Sequence, residues 1–195
     1  RVGDLDTDEI VIWFDGGGAL QVADDVPLKL VKQGFDTVIL SGANTYGGGT
    51  NVTQGILRIG RTNALASTGN LSTSGSGVFD LNGFGQTVKH LTSNGATVAG
   101  NTSGFITNSG TVNKTLTVGN GVTSNFSYAG VIQHNVALTK TGTATMTLQN
   151  ANTYMGNTVI TGGTLALGNN GSISDSPWVN IQGAASVLDV NRGGA

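Results

Sequence analysis

Cysteine is absent from this chain of 195 residues, which excludes disulfide bonds, thiolate metal sites and a cysteine nucleophile. Charged side chains are scarce at 10%, against about 25% in an ordinary soluble domain. This argues against the usual disordered composition, which combines low hydrophobicity with high net charge. The net charge of −2 argues against nucleic acid as a partner, because phosphate binding needs a basic face. A run of about 18 apolar residues, which a membrane-spanning helix needs, is also missing.

The few charges are unevenly distributed along the chain. Residues 1–36 hold eight of the eleven acids and three bases, a net charge of −5, whereas residues 37–174 hold one acid and five bases. Glycine, threonine, asparagine and serine together account for nearly half of the chain. Solubility must therefore come from hydroxyl and amide side chains, which suit the outer face of a sheet better than the surface of a helix.

Apolar residues alternate with polar ones in many short segments. Residues 115–118, 145–148 and 164–167 read Thr-Leu-Thr-Val, Thr-Met-Thr-Leu and Thr-Leu-Ala-Leu. This period of two predicts strands with one buried face, and the glycine and asparagine clusters between them predict turns. No segment has convincing helical periodicity. The pattern predicts an all-β protein without substantial helix and permits a sandwich, a barrel or a solenoid.

A long internal repeat narrows this choice. Residues 30–60 align with residues 138–168, and what recurs is apolar positions and turn residues. We expect the following apolar side chains to point inward: Leu40, Leu57, Ile59, Met146, Leu148, Leu165 and Leu167. Arg58 and Lys140 are expected to point outward. Asp80 and Asp189 occupy corresponding positions, too far apart to cooperate in glycoside cleavage.

The length of the repeat predicts a stack of several coils. Short strands with turns need roughly 18–25 residues per coil, which gives about nine coils for the whole chain. At an inter-strand spacing of about 4.8 Å these would form a rod roughly 45 Å long. We interpret residues 1–195 as one β-solenoid segment. It has an acidic, less repetitive start at 1–29, one copy at 30–137 and an incomplete second copy at 138–195.

The repeated residues resemble the autotransporter-associated β-strand repeat of passenger domains in Gram-negative type V secretion proteins. The resemblance is carried by Leu-Thr-Lys-Thr-Gly at 138–142, Ala-Asn-Thr-Tyr at 151–154 and Gly-Thr-Leu at 163–165. Ala-Asn-Thr-Tyr also occurs at 43–46. The resemblance implies a single-stranded, right-handed parallel β-helix, exported and displayed at the cell surface. It also implies a role in passenger folding and translocation, and commonly a stalk for adhesion.

The acidic start contains the strongest candidate for a metal site. Asp4, Asp6, Asp8 and Glu9 resemble the beginning of a calcium loop, in which oxygen ligands alternate with spacers. The glycine and the distal glutamate of such a loop are missing, which favours the alternative, a solvated acidic edge or a polar cap of the solenoid. No cofactor is expected. His90 and His134 do not suffice for a metal site.

The repeated Asn-Thr-Tyr is interpreted as a structural corner and not as a ligand site. Asparagine tolerates turn conformations, and tyrosine would cap the core with its ring while its hydroxyl stays solvated. The proposed structural motif comprises Asn44, Tyr46 and Gly48 in the first copy and Asn152, Tyr154 and Gly156 in the second.

Two functions from different classes remain open. The first is a non-enzymatic extracellular passenger or stalk segment, without a catalytic residue, anchored to the outer membrane through another part of the protein. Its partners would be host or matrix glycans or proteins, or further copies of itself, associating laterally or end to end near residues 186–190. The alternative is a carbohydrate-active β-helix, a lyase or hydrolase, whose site lies mostly outside this sequence.

Overall fold

The fold consists of short parallel strands joined by turns. This computed structural model describes residues 9–13, 18–20, 28–93 and 103–190, the first two ranges as backbone. Within them no helix occurs, and no segment is a helix long and apolar enough to cross a membrane. The strands of the described residues are β1 Glu9–Trp13, β2 Gly18–Leu20, β3 Lys29–Gln33, β4 Thr37–Leu40, β5 Thr50–Val52, β6 Ile56–Ile59, β7 Leu71–Thr73, β8 Val78–Asp80, β9 Gln86–Val88, β10 Leu91–Ser93, β11 Phe105–Thr107, β12 Lys114–Val118, β13 Phe126–Tyr128, β14 Val131–His134, β15 Val136–Lys140, β16 Thr145–Leu148, β17 Thr153–Tyr154, β18 Thr158–Ile160, β19 Thr164–Leu167, β20 Val179–Ile181 and β21 Val187–Asp189.

These strands form the faces of a β-solenoid. The first face consists of the sheet β1-β3-β5-β7-β10 followed by the sheet β13-β16-β19-β21, with β10 lying against β13. The second face is the seven-stranded sheet β2-β4-β6-β8-β11-β14-β17, and the third is β9-β12-β15-β18-β20. All described strand pairs are parallel, as Thr37 opposite Ile56 and Thr164 opposite Val187 illustrate. The predicted all-β solenoid is therefore confirmed.

The length of one turn follows from the register of the strands. Thr37 lies opposite Ile56 and Thr164 opposite Val187, so these turns fall within the roughly 18–25 residues expected from strand and turn lengths. Gln86 and Leu116 face each other across a longer segment, so the middle of the chain uses longer connections. The first face stacks nine strands in its two sheets and the second face stacks seven in one sheet; counted by the longest single sheet the solenoid has about seven turns, a minor difference from the about nine that the sequence predicts. The longer turns account for part of this difference.

The core is a column of apolar side chains from alternate strand positions. All seven residues predicted to point inward are buried, from Leu40 and Leu57 at 0% exposure to Leu167 at 7%. Burial alternates along the strands, for example in β4, β6 and β19, because successive side chains point to opposite faces of a sheet. Period-two patterning thus identified the core positions correctly.

The two repeat copies occupy different faces of the solenoid. In the first copy β3 and β5 lie in the first face and β4 in the second; their counterparts β15 and β18 lie in the third face and β16 in the first. The offset between the copies therefore does not correspond to a whole number of turns. The same local structure is built twice in different surroundings. Residues and contacts that both copies share are therefore required by the repeat itself and not by the face on which it lies.

The predicted outward position of Lys140 is wrong. Lys140 is fully buried, as is its counterpart Lys32 at 1% exposure. The residue lies opposite Val118 and Ile160 in the strand register, both of which belong to the core. Arg58 is partly exposed on the outer side of β6, in agreement with the prediction.

Candidate functional site

Each repeat copy contains a buried lysine whose ammonium group binds backbone carbonyls. Nζ of Lys32 donates to the oxygens of Gln33, Gly34 and Gln54 at 2.9, 2.6 and 3.0 Å. Nζ of Lys140 donates to the corresponding oxygens of Thr141, Gly142 and Gly162 at 2.6, 3.2 and 3.1 Å. Two acceptors lie in the turn after the lysine and the third lies one coil further on. We call this arrangement the lysine clamp.

The chemistry of the clamp suits a protonated lysine. An ammonium group has three N–H donors and no acceptor, and each clamp supplies three carbonyl acceptors. Burial lowers the pKa of Lys140 to about 8. Burial also lowers the pKa of Lys32, an effect that the carboxylate of Asp36 partly offsets. At neutral pH the ammonium form of Lys140 therefore predominates, and it links its own turn to the one that contains Gly162.

Glycines make room for the clamp. Gly34 and Gly142 follow the two lysines with φ of 80° and 70°, in the left-handed region that favours glycine. On the next coil Gly55 also has a positive φ, and a Cβ atom there would lie 2.3 Å from the oxygen of Gly34 and 2.8 Å from Nζ of Lys32. A side chain at this point would therefore displace the clamp.

The asparagine of the proposed corner motif joins neighbouring coils. Nδ2 of Asn44 donates to the oxygens of Gly42 and Ala64 at 3.1 and 2.8 Å. Nδ2 of Asn152 donates to the corresponding oxygens, those of Asn150 and Ser172, at 2.6 and 3.3 Å. Both asparagines are buried, and buried carbonyl oxygens need a donor within the protein. The asparagine amides supply that donor.

The two tyrosines of the motif lie in the core. The prediction that their hydroxyl groups stay solvated is wrong, because both hydroxyl groups are buried. Tyr46 and Tyr154 share hydrogen bonds with Oγ1 of Thr50 and Thr158, at 2.8 and 2.6 Å. Burial raises the pKa of Tyr154 to about 12. The motif therefore includes a partner that the sequence interpretation missed, the threonine that follows each tyrosine by one short turn. The alignment of the two copies does pair Thr50 with Thr158, so the signal was present in the sequence.

Glycine is required sterically at one position of the motif. The N–H groups of Gly48 and Gly156 donate to the oxygens of Leu28 and Val136 on the preceding turn, at 3.0 and 2.9 Å. A Cβ atom on Gly156 would lie 2.6 Å from the oxygen of Val136 and 2.7 Å from Cα of Ala137. The two strands approach here too closely for any side chain.

Asp80 is a buried carboxylate that the surrounding chain fully engages. It accepts hydrogen bonds from Nε of Arg58 at 2.8 Å, from the backbone of Asn82, and from the backbone and hydroxyl of Ser109. Burial alone would raise the pKa of Asp80, but the donors of Ser109, Asn82 and Arg58 outweigh it and hold the pKa below its usual value. Both carboxylate oxygens of Asp80 therefore accept hydrogen bonds within the protein, which does not suit a general acid or base.

The remaining candidate residues are not brought together. Nδ1 of His90 contacts Oδ1 of Asn70 at 3.0 Å, and Nδ1 of His134 contacts Oγ1 of Thr107 at 2.8 Å. Within the described residues, no three histidine or acidic side chains could hold a metal ion. The calcium prediction on Asp4, Asp6, Asp8 and Glu9 concerns side chains outside the described part of the chain.

Comparisons with known proteins agree with the repeat. A family model, the passenger-associated-transport-repeat, matches residues 30–59 and 138–167. The adhesin BmaC autotransporter of Brucella suis biovar 1 (strain 1330) is 34% identical over 164 residues, which cover 82% of this chain and 4% of that protein. The chain thus spans a small part of its curated relative. No solved structure matches it significantly.

Both matched segments begin at the leucine that precedes the clamp and contain the complete Asn-Thr-Tyr corner. The resemblance found from the sequence is therefore confirmed. The chain carries two copies of an autotransporter passenger repeat, at residues 30–59 and 138–167, built into a parallel β-solenoid.

Proposed function

We propose that this chain is a non-enzymatic stalk segment of an autotransporter passenger, which displays its outer faces for adhesion. The observation that carries the proposal is the contrast between inward and outward residues of the two copies. Inward positions agree, as in Lys32 and Lys140 or Leu57 and Leu165. Several outward positions differ, as where Arg58 is replaced by Ala166, although Thr37 and Thr145 are identical. A stalk needs a constant interior and leaves its surface free to vary.

The state of the charged side chains supports a mechanical function. General acid–base catalysis needs a group that can exchange protons with a substrate. Among the described residues, Asp80 is occupied by four donated hydrogen bonds, and Lys32 and Lys140 are occupied by carbonyls. A screen against pectin, alginate, host glycans and esters should stay at background. Turnover that is abolished by a single aspartate or histidine substitution would favour the alternative, a carbohydrate-active β-helix.

The proposed location is the cell surface. Passengers are the exported part of an autotransporter, and the outer-membrane anchor would be supplied by another part of the protein. The proposed partners are host or matrix glycans or proteins, and further copies of this chain.

Surface display tests the proposal directly. The chain would be placed between a signal peptide and an autotransporter barrel and produced in a Gram-negative host. Intact cells should bind an antibody to the segment, and external protease should remove the signal. Adhesion of these cells to glycan-coated surfaces would be compared with cells that display the carrier alone. A segment that stays inside the cell, or that adds nothing to adhesion, would contradict the proposal.

A further inference from the structure

A polar groove of about 180 Å³ crosses the outer side of the first face. Its lining includes Lys29, Gly49, Asn51, Asn70, Ser72 and Thr92. Asn51, Ser72 and Thr92 are paired in register on β5, β7 and β10, so they form a column with a spacing of about 4.8 Å. The side chains of this column, which carry one amide and two hydroxyl groups, therefore stand in a straight row along the groove.

Two polar atoms of this column have no hydrogen-bond partner. Across the described residues, Oδ1 of Asn51 and Oγ of Ser72 are the buried side-chain atoms that the structure leaves unpaired. They lie on neighbouring rungs and line the same groove. Buried polar groups without a partner cost stability, and native proteins retain few of them. Two in one groove point to a partner from outside the chain.

The second repeat copy shows that the fold does not need an asparagine at the position of Asn51. When the alignment of the two copies is extended, Lys29 corresponds to Ala137, Asn51 to Val159 and Asn70 to Trp178. Asn51 and Val159 both project outward from the middle of a strand, β5 and β18, with the same burial pattern. The backbone thus forms equally well with valine, and the asparagine serves another purpose.

The composition of the groove restricts the kind of ligand. Binding sites for drug-like molecules are mostly apolar and have about 300–1,000 Å³, whereas this groove is polar and smaller. Its volume corresponds to about six water molecules, which is the scale of a sugar ring. Amide and hydroxyl groups donate and accept hydrogen bonds, as sugar hydroxyl groups do. Lys29 is the charged side chain among the described lining residues.

We propose that this groove binds a saccharide, with Asn51 and Ser72 hydrogen-bonding its hydroxyl groups. Binding requires Asn51 to turn its amide and Ser72 to turn its hydroxyl toward the groove, since Oδ1 and Oγ are both buried. The inference rests on the proposed function, because it names the partner class of a surface-displayed segment. It also assigns that partner to one face and one repeat copy.

Saturation-transfer NMR on the purified chain tests this inference. The probes are glucose, galactose, N-acetylglucosamine and galacturonic acid, three neutral sugars and one acidic sugar. The variant Asn51→Val installs the residue found at the corresponding position of the second copy. The matched control, Val159→Asn, makes the reverse change outside the groove. Ser72→Ala provides a second, smaller change within it.

The native chain should bind at least one of these sugars. Asn51→Val should weaken that binding at least tenfold, Ser72→Ala should weaken it several-fold, and Val159→Asn should leave it unchanged. Thermal unfolding and circular dichroism establish that each variant is folded; if Asn51→Val is not, Ser72→Ala decides. Failure of all four sugars to bind, or undiminished binding by the folded groove variants, would overturn the inference. Because this assay uses no cells, its failure is distinguishable from a failure of surface display.

Discussion

Replacing Lys140 by methionine should destabilise the solenoid strongly, although lysine is usually a surface residue. Methionine has nearly the same length and is apolar, so the side chain can still fill its place. What it cannot do is donate hydrogen bonds to the oxygens of Thr141, Gly142 and Gly162. These carbonyls would lose a buried donor in a turn that water reaches poorly.

The magnitude follows from the number of acceptors. A buried acceptor left unpaired costs about 1–3 kcal/mol, so three of them at about 1.5 kcal/mol each would cost about 4.5 kcal/mol. Removing the ammonium group also removes the cost of burying its charge, which offsets part of this loss. We expect a net decrease of about 3 kcal/mol in the free energy of unfolding, which corresponds to about 1 kcal/mol for each of the three carbonyls that lose their donor. That is a large fraction of the about 5–15 kcal/mol typical of a native protein.

Equilibrium urea unfolding followed by circular dichroism measures this effect. With an m-value of about 3 kcal/mol/M, a loss of about 3 kcal/mol lowers the midpoint by about 1 M. Lys32→Met should lower it similarly, because the second clamp has the same three acceptors. Lys114→Met is the matched control: this lysine is partly exposed at the start of β12, and such changes stay within about 0.5 kcal/mol.

Equal midpoints for Lys140→Met and Lys114→Met would refute the reasoning. Such a result would mean that the carbonyls find other partners or that the lysine is not held inside. A change in m-value without a change in midpoint would also contradict it, since the prediction concerns the stability of the folded chain and not the compactness of the unfolded one.

Further predictions concern the pH dependence and the corner motif. Because the pKa of Lys140 is lowered to about 8 from the ordinary 10.5, the unfolded chain holds more protons between these values. The free energy of unfolding should therefore rise with pH across this window. Urea unfolding in steps from pH 7 to pH 10 should show a smaller rise for Lys140→Met than for the native chain. An equal rise in both proteins would contradict the pKa assigned to Lys140. Tyr154→Ala should cost about 3 kcal/mol, as aromatic truncations in cores do, and an unchanged unfolding midpoint would mean that the ring is not packed. Gly156→Ala should cost about 1–3 kcal/mol by overpacking against Val136 and Ala137, whereas Gly47→Ala should be nearly neutral, since a Cβ atom there meets nothing within 4 Å. Similar melting temperatures for the two glycine variants would be inconsistent with this packing.

The sequence was sufficient for the class of fold and for the core, because both depend on local patterns. Alternation of residues such as Met146 and Leu148 with threonines identifies the buried face of a strand without knowledge of its neighbours. The length of the repeat added the stacking of coils, since one copy is too long to form a single coil of short strands. The number of turns was less accurate, because loop lengths in the middle of the chain vary.

The lysine clamp was missed because hydropathy alone assigns a lysine to the surface. Lys140 is inward by its alternation with Leu138, but its charge overrode this signal in the sequence interpretation. The clamp depends on carbonyls of another coil, which no local pattern shows. The clue in the sequence was the exact recurrence of the lysine, followed shortly by glycine in both copies, while outward residues such as Arg58 changed.

The groove could not be predicted for a related reason. Asn51, Ser72 and Thr92 lie on three successive coils, far apart in sequence, and look like ordinary polar positions on strands. Only the register of β5, β7 and β10 brings them into one column. The lack of hydrogen-bond partners at Oδ1 of Asn51 and Oγ of Ser72 is a property of the packed structure and has no counterpart in composition or spacing.

The central claim, a parallel solenoid in which successive coils are in register, can be tested by disulfide cross-linking. The chain has no cysteine, so introduced pairs are free of competing thiols. In β16 and β19, Thr145 lies opposite Thr164 and Thr147 opposite Ala166, and all four side chains are partly exposed. Opposed residues on adjacent strands are about 4.8 Å apart, within the Cα separation of about 4.4–6.8 Å that a disulfide needs.

Two pairs of double-cysteine variants distinguish parallel from antiparallel strands. The parallel register predicts rapid cross-linking under mild oxidation for residues 145 with 164 and for residues 147 with 166. The crossed pairs, 145 with 166 and 147 with 164, are separated by about 8 Å or more and should stay reduced. Cross-linking of the crossed pairs in place of the matched ones would show antiparallel strands and would contradict the solenoid.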